Sequence, residues 1–336
     1  MQCISKTEPD VMKAVVCNEY GSIKNLTLQD VDNPEPKDDE LLLRVLAAGI
    51  NFPDGLLVQG LYQARPETPF IPGMEFCGEV IGTGPAVNGL KKGDRVISSS
   101  PNYGAFAERI TLPAAMVLKI PDTIEPAQAS NLLVAHGTAH HALKQRARLQ
   151  ADESLVVLGA AGGTGLAAVQ IGKAMGAKVI AAASSDEKLK LAADNGADAT
   201  INYNEESLKD AIRQHTNGNG ANVIYDPVGG EAFDSSVRAM ARYGRMLVIG
   251  FASGSIPKLP VNLALVKEFS LVGVFWGTFT RKEPEVFANN MKELIEWYQK
   301  GLVSVAIDRT FPLAQTADAL EYVMSRQVKG KVAVVL

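Results

Sequence analysis

The chain has 336 residues, 46% hydrophobic and 21% charged, with a formal net charge of -4; it is long enough for two domains. Its acidic balance and 6% aromatic content do not supply the basic face that a polyanion requires, so nucleic acid is not an expected partner. No apolar run reaches the ~18 residues of a membrane span and the start MQCISKTEPDVMK has no signal-peptide core, so a cytoplasmic protein without a membrane partner is expected. The three cysteines, Cys3, Cys17 and Cys77, are odd in number and widely spaced. That pattern fits reduced thiols rather than a disulfide framework or a zinc knuckle.

The first ten residues are polar and unpatterned and read as a loose tail, with order starting near Met12. From there to about residue 120, short apolar runs (KAVVC, ELLLRVLAAGI, FCGEVIGTG, GDRVISS, AFAERITL) alternate with Gly, Pro, Asn and Asp clusters, the pattern of an all-β barrel or sandwich. The segment EPAQASNLLVAHGTAHHALKQRA then has helical spacing. After it, SLVVLGA, AKVIAAA, ATINY, NVIYDPV, RMLVIG and FSLVGVF alternate with helical stretches, which predicts a parallel sheet covered on both faces. Finally a helix-like TADALEYVMSRQ precedes KGKVAVVL, a run suited to a strand that returns to the first domain.

Within this order, SLVVLGAAGGTGLAAVQIGKAMGAKVIAAA reads strand, glycine turn, helix, strand. Such a unit places a pyrophosphate at a helix N-terminus, where free N–H groups and the helix dipole favour negative charge. The strict GxGxxG spacing is not met: Ala160 takes the first position, Gly162 and Gly165 the others, with Gly163 between. Tight packing of strand on helix is the competing explanation for such glycines. The following octet AAASSDEK ends the next strand where an acid would bind the adenosine ribose of NAD. Ala183 stands there, and Asp186 and Glu187 fall three and four residues later, as acids of a helix's first turn would. Ser184 and Ser185 offer hydroxyls and Lys188 a cation, groups that suit a 2'-phosphate, so NADPH is favoured over NADH. A serine cap beside a solvated lysine is the alternative.

The motifs AAGINFPDGLLVQGLY, PFIPGMEFCGEVIGTG, GDRV, GAAGGTG, INY, YDPVGG and KGKVAVVL together resemble the medium-chain dehydrogenase/reductase superfamily, in its zinc-free NADPH:quinone oxidoreductase (zeta-crystallin-like) branch. The likeness runs from Met12 to Leu336. It implies an α/β protein: a GroES-like, partly open β-barrel catalytic domain over 12–131 and 303–336, a Rossmann doubly wound parallel-sheet domain over 132–302, and a cleft between them. By the same resemblance Thr138 approaches the nicotinamide amide, and Ala161, Gly162, Gly163, Thr164 and Gly165 the pyrophosphate. Ser184, Ser185, Lys188 and Tyr203 meet the 2'-phosphate and adenosine. Val228, Gly250, Phe251 and Ala252 line the ribose side, Phe275 and Gly277 flank the nicotinamide, and Lys331 is a further cofactor candidate.

Zinc enzymes of the superfamily carry a cysteine early in the barrel and a histidine in a GHE motif; this chain has Asn51 in NFPD and Met74 in GME, neither a good zinc ligand. Glu75 remains, but one acid does not build a site. His136 and His140 have i, i+4 spacing with His141 adjacent, yet no cysteine or acid motif joins them, so no metal is expected. Without a Lewis acid the acceptor has to be electron-poor already, such as a quinone or an α,β-unsaturated carbonyl compound. Asn51 is then the candidate hydrogen-bond donor to the developing oxyanion, and Tyr62 a donor or proton source. A turn-starting asparagine and a loop-capping tyrosine are the plainer readings. Some relatives place a tyrosine where this chain has Leu56, which makes the pocket more apolar there. An enoyl-thioester (enoyl-CoA type) reductase is the nearest alternative function, and an NADPH-binding sensor or RNA-binding protein one of a different class. The resemblance implies a homodimer through the Rossmann sheet edge. FSLVGVFW is the candidate edge strand, an internal strand buried by helices the other possibility.

Overall fold

The computed structural model describes residues 11–100 and 102–336; the tail expected over the first ten residues, with Cys3, lies outside them. Cys17 and Cys77 are buried free thiols. The chain divides into two compact units, one running to Leu133 and resuming at Ile307, the other Val134–Ala306.

The first unit is built from β1 (Val11–Val16), β2 (Thr27–Asp32), β3 (Glu40–Ile50), β4 (Glu75–Thr83), β5 (Arg95–Ser99), β6 (Arg109–Pro113) and β7 (Leu118–Lys119), joined from the far end by β14 (Ile307–Pro312) and β15 (Lys331–Val335). β1 and β2 form an antiparallel pair. The others form one sheet in the order β14-β15-β3-β4-β5-β7, with β6 also paired to β3. In β3, Leu41, Leu43 and Val45 point into the core while Arg44 points out, the two-residue alternation of a strand with one buried face. The returning run KGKVAVVL becomes β15, antiparallel to β3 with Val332 opposite Ile50. Leu41, Leu43, Phe76, Val80, Phe106 and Val332 share the core.

The second unit is a parallel sheet of β8 (Ser154–Leu158), β9 (Lys178–Ala183), β10 (Ala199–Asn202), β11 (Ala221–Asp226), β12 (Met240–Val248) and β13 (Ser270–Gly273), in the order β10-β9-β8-β11-β12-β13. Its central strands are apolar on both faces, Val156, Leu158, Ile180 and Ile224 being buried on one and Leu155, Val157 and Val223 on the other, as helices on both sides require. The order runs outward from β8 in one direction and then in the other, leaving a crevice beyond the carboxyl ends of β8 and β11 where such sheets bind ligands. β13 is the sheet's last strand and Leu271 on it is exposed, so FSLVGVFW contributes an edge, not an internal strand.

The second boundary falls after Ala306, beyond the expected 302/303. Hydrogen bonds explain the shift. Ser304 donates its N–H to Gln170 Oε1 at 2.9 Å and receives Gln170 Nε2 on its hydroxyl at 3.1 Å, while its carbonyl lies 3.2 Å from His136 Nε2. Val303 and Val305 are buried beside it.

Candidate functional site

In the second unit the expected cofactor residues Ala161, Ser184, Tyr203, Val228 and Gly250 follow the carboxyl ends of β8, β9, β10, β11 and β12, which lie on one side because parallel strands all end together. Gly159 follows β8 with φ +58°, so the turn takes its left-handed residue one position before Ala160, where the GxGxxG spacing would have put it. The helix Gly163–Ala174 starts there with Gly162 as its N-cap. A Cβ on Gly165 would stand 2.2 Å from the Gly159 carbonyl oxygen, so this glycine is required by helix-on-strand packing. A Cβ on Gly162 would meet only that same oxygen, at 3.4 Å; its missing side chain chiefly keeps the helix N-terminus open. The first N–H groups of the helix have no intrahelical partner, and with Ala161 and Gly163 they could hold a diphosphate. Thr164 contributes backbone only, since its hydroxyl is bonded to Tyr225 and to the carbonyl of Ala135. Ala135 lies on the helix Leu133–His141, which also carries Thr138.

Beyond β9 the octet separates into two roles. Ser185 is the N-cap of the helix Asp186–Asp194, its hydroxyl accepting from the Lys188 N–H at 3.5 Å, the capping alternative for this one serine. Asp186, in the first turn of that helix, accepts from Nδ2 of Asn202, the last residue of β10, at 2.9 Å. Ser184 is hydrogen-bonded to the phenol of Tyr203, which burial pushes up from its ordinary pKa. Ala183, where a ribose-binding acid would stand, is the buried last residue of β9. Thus Ser184, Lys188 and Tyr203 share the β9 and β10 ends. At the end of β11 the buried Asp226 carboxylate takes the N–H groups of Val228 and Gly229 at 2.8 and 2.9 Å, fixing a loop whose Val228 packs at Gly159. Ala252 donates back to the Pro227 carbonyl, which brings Gly250, Phe251 and Ala252 beside it. Phe275, largely exposed, is the N-cap of the helix Trp276–Lys282, and Gly277 faces open space.

The first unit holds a second group, and Lys331, a cofactor candidate by the resemblance, is hydrogen-bonded within it. Its ammonium donates to Asn51 Oδ1 at 2.6 Å and to the Ile50 carbonyl at 3.0 Å, with the residue only 6% exposed. Asn51 Nδ2 in turn donates to Glu75 Oε2 at 3.0 Å. Asn51 is also the N-cap of the helix Phe52–Val58, and its backbone N–H donates to Asp54 Oδ2 at 2.8 Å. Asp54 and Glu75 are wholly buried. Burial pushes the Asp54 carboxyl up to about 7, against backbone hydrogen bonds and the Lys331 charge that pull it down; burial likewise lowers Lys331. Tyr62 and Tyr103 are both raised, first by burial and then by neighbouring charge, Asp54 acting on each and Tyr62 on Tyr103. Removing an ion from water costs several kcal/mol even after relaxation. Two acids and an amine kept dry together are costly to retain, and such perturbed groups cluster at functional sites.

Asp54 and Tyr103 were absent from the sequence expectation and Glu75 was set aside in it. The available signal was charge inside apolar runs: Glu75 in PGMEFCG and Lys331 in GKVAVVL. A zinc ion does not fit here. Asn51 and Met74 stand at the ligand positions, the Asn51 amide is occupied by Glu75 and Lys331, and an ammonium already supplies the positive charge. Among the described residues no cluster of three or more His, Cys, Asp or Glu is placed to hold a metal. The histidines of the second unit are separately engaged, His140 Nε2 lying 2.7 Å from Glu293 and His141 Nδ1 3.2 Å from Gln145.

A GroES-like unit completed by the last strand, with a doubly wound sheet in order 3-2-1-4-5-6 between its two parts, defines a medium-chain dehydrogenase/reductase fold. Residues 37–122 match the family described as alcohol dehydrogenase GroES-like domain, and residues 163–300 that described as zinc-binding dehydrogenase. The second match contains neither Asn51 nor Met74. Quinone oxidoreductase-like protein 2 of Rattus norvegicus is 41% identical, the alignment covering 95% of this chain and 91% of that one. Among solved structures, a mycobacterial protein complexed with NADPH has a TM-score of 0.89 at 33% identity, covering 97% and 100% of the two chains. A Pseudomonas syringae quinone oxidoreductase has a TM-score of 0.90 at 28% identity, with the same coverage. The chain belongs to the quinone oxidoreductase branch of the medium-chain dehydrogenase/reductase superfamily and is an oxidoreductase.

Proposed function

We propose that the protein is a zinc-independent, NADPH-dependent reductase of quinones and other activated alkenes, working in the cytoplasm as a homodimer. The observation that carries this reading is the chain Lys331–Asn51–Glu75, a hydrogen-bonded network at the positions where a zinc enzyme would need ligands. When bound, the reduced dinucleotide supplies a hydride. The chain's own residues do the rest. Open N–H groups at the start of Gly163–Ala174 hold the diphosphate, and Ser184, Lys188 and Tyr203 meet the 2'-phosphate, a preference supported by Ala183 in place of an acid. Asn51 donates an N–H to the negative charge that develops on the acceptor oxygen. Tyr62, beside the Asp54 charge, delivers the proton that follows. An acceptor whose charge spreads by conjugation needs no further polarisation, which selects quinones and enones over simple ketones.

The test is stopped-flow oxidation of NADPH with quinones, free enones and acyl thioesters, each with and without chelator. Turnover of quinones or enones that survives chelation is expected. Loss of activity on metal removal refutes the proposal, and a strong preference for acyl-CoA substrates replaces it with an enoyl-thioester reductase. For the dimer, β13 offers an unpaired edge, and Val261, Leu265 and Val266 just before it are more than 70% exposed. Leu265→Glu should therefore turn a dimer into a monomer in sedimentation analysis. A wild-type monomer refutes that part.

A further inference from the structure

We infer that Lys331 is the positioning residue of the site, its ammonium locking the Asn51 side-chain amide so that an N–H, and not the carbonyl oxygen, is available to the reacting oxygen. This rests on the reductase reading above for its chemical use, but the lock itself stands on geometry.

The oxygen and nitrogen of an asparagine amide are nearly equal in size, so packing scarcely distinguishes an amide from its flipped form. Here the two neighbours do. An ammonium can only donate and an ionised carboxylate can only accept. Lys331 Nζ lies 2.6 Å from Asn51 Oδ1, and Glu75 Oε2 lies 3.0 Å from Asn51 Nδ2. A flip would set the amide N–H groups against the ammonium and the amide oxygen against the carboxylate, reversing two charge-assisted contacts in a site screened by almost no water. The NH2 group has a second hydrogen beyond the one given to Glu75; with the amide locked, that hydrogen is the donor. Lys331 is itself fixed by the Ile50 carbonyl at 3.0 Å, and β15 on which it sits is paired to β3 with Val332 opposite Ile50. The backbone register thus delivers the ammonium to the residue preceding the helix that Asn51 caps.

The test compares the wild type with Lys331→Met, Lys331→Gln, Asn51→Ala and the double variant Lys331→Met/Asn51→Ala in NADPH-dependent quinone reduction, with NADPH affinity measured separately by fluorescence titration. Lys331→Met should lower kcat on the order of 10²-fold, the loss associated with one missing oxyanion donor, with the NADPH Kd changed by no more than about twofold. Lys331→Gln keeps a donor for Asn51 Oδ1 without the charge and should recover about tenfold of that loss. The double variant should be no slower than Asn51→Ala, since two residues acting through one group are not additive. If the methionine variant fails to fold, the glutamine variant runs the same cycle. A large rise in NADPH Kd with kcat retained, or losses that multiply in the double variant, would overturn the inference. Exchange of the Asn51 side-chain NH2 hydrogens, followed by NMR, gives a readout without turnover: slow in the wild type and in Lys331→Gln, fast in Lys331→Met. If the wild type reduces no acceptor, the reductase reading falls, and the exchange result still decides the lock; equal exchange in wild type and Lys331→Met refutes it.

Discussion

Replacing Asp54 by asparagine probes the electrostatics of the buried group directly. Burial raises the Asp54 carboxyl from 3.8 to about 7. A difference of about three units at ~1.4 kcal/mol each amounts to a folded-state cost of about 4 kcal/mol once the group is ionised. Because the folded state holds this proton more tightly than the unfolded chain, it binds more protons between pH 3.8 and about 7. Stability of the first unit therefore falls as pH rises through that window, and the full cost is present above it. Asparagine carries no charge and can still accept the Asn51 backbone N–H through its side-chain oxygen. It also leaves one carboxylate, Glu75, for the one ammonium of Lys331. Asp54→Asn should thus stabilise the first unit by about 2–4 kcal/mol at pH 8 and by almost nothing at pH 4. Both tryptophans, Trp276 and Trp297, lie in the second unit, so their fluorescence does not see the effect. Hydrogen exchange by mass spectrometry on peptides from β3 and β4 does, with second-unit peptides as internal reference. An asparagine variant destabilised equally at pH 4 and pH 8 would refute the reasoning.

The second unit should respond to acid in the opposite sense. His140 is buried and held down to about 4, mainly by desolvation; the folded state binds fewer protons than the unfolded chain between pH 4 and 6.5, so its stability is lost as pH falls through that window, by up to about 3 kcal/mol. Denaturant midpoints from Trp297 fluorescence, whose ring lies 5.4 Å from His140, should show this slope in the wild type and a flatter one in His140→Gln. Gly165→Ala drives a Cβ to 2.2 Å from the Gly159 carbonyl, backbone that has no flexible end to move aside, and should lower the stability of the second unit by about 1–3 kcal/mol. Gly162→Ala, at 3.4 Å, should leave stability nearly intact and still weaken dinucleotide binding. Lys188→Glu should weaken NADPH on the order of 10- to 100-fold and NADH by less than about threefold in parallel fluorescence titrations; equal losses would make AAASSDEK an ordinary helix start.

The parallel sheet was legible because its strands are buried on both faces: LVVL and VIAAA are apolar without interruption, and the helices between them carry their own spacing. β2 and β14 were not. Their sequences, TLQDVD and IDRTFP, follow no clean alternation because they are half-exposed strands, and what pairs them is the neighbouring strand's register, a property of three dimensions. The glycine turn was found, but spacing alone does not reveal which of its glycines takes positive φ, a role that falls to Gly159. Asn51 was singled out in the sequence, but its hydrogen-bond partners lie 24 and 280 positions away. A local pattern holds no information on such pairings. Ser184 and Ser185 looked equivalent in sequence; only the start of the helix at Asp186 separates the cap from the residue left for a ligand.

The position of β15 has a kinetic consequence. Lys331 meets Asn51 across 280 residues, and the intervening chain contains the entire second unit. Closing so long a segment while it is unfolded costs chain entropy before any contact rewards it, and long-range pairings of this kind are slow to form. Once the second unit has folded, it spans that distance as a compact body, and the remaining closure is short. The order of assembly follows: the dinucleotide-binding sheet can nucleate alone through contacts between neighbouring strands and helices, and the Lys331–Asn51–Glu75 network closes afterwards. Until then Asn51 has no ammonium beside it and its amide is free to turn, so the residue is in place before its side chain is oriented.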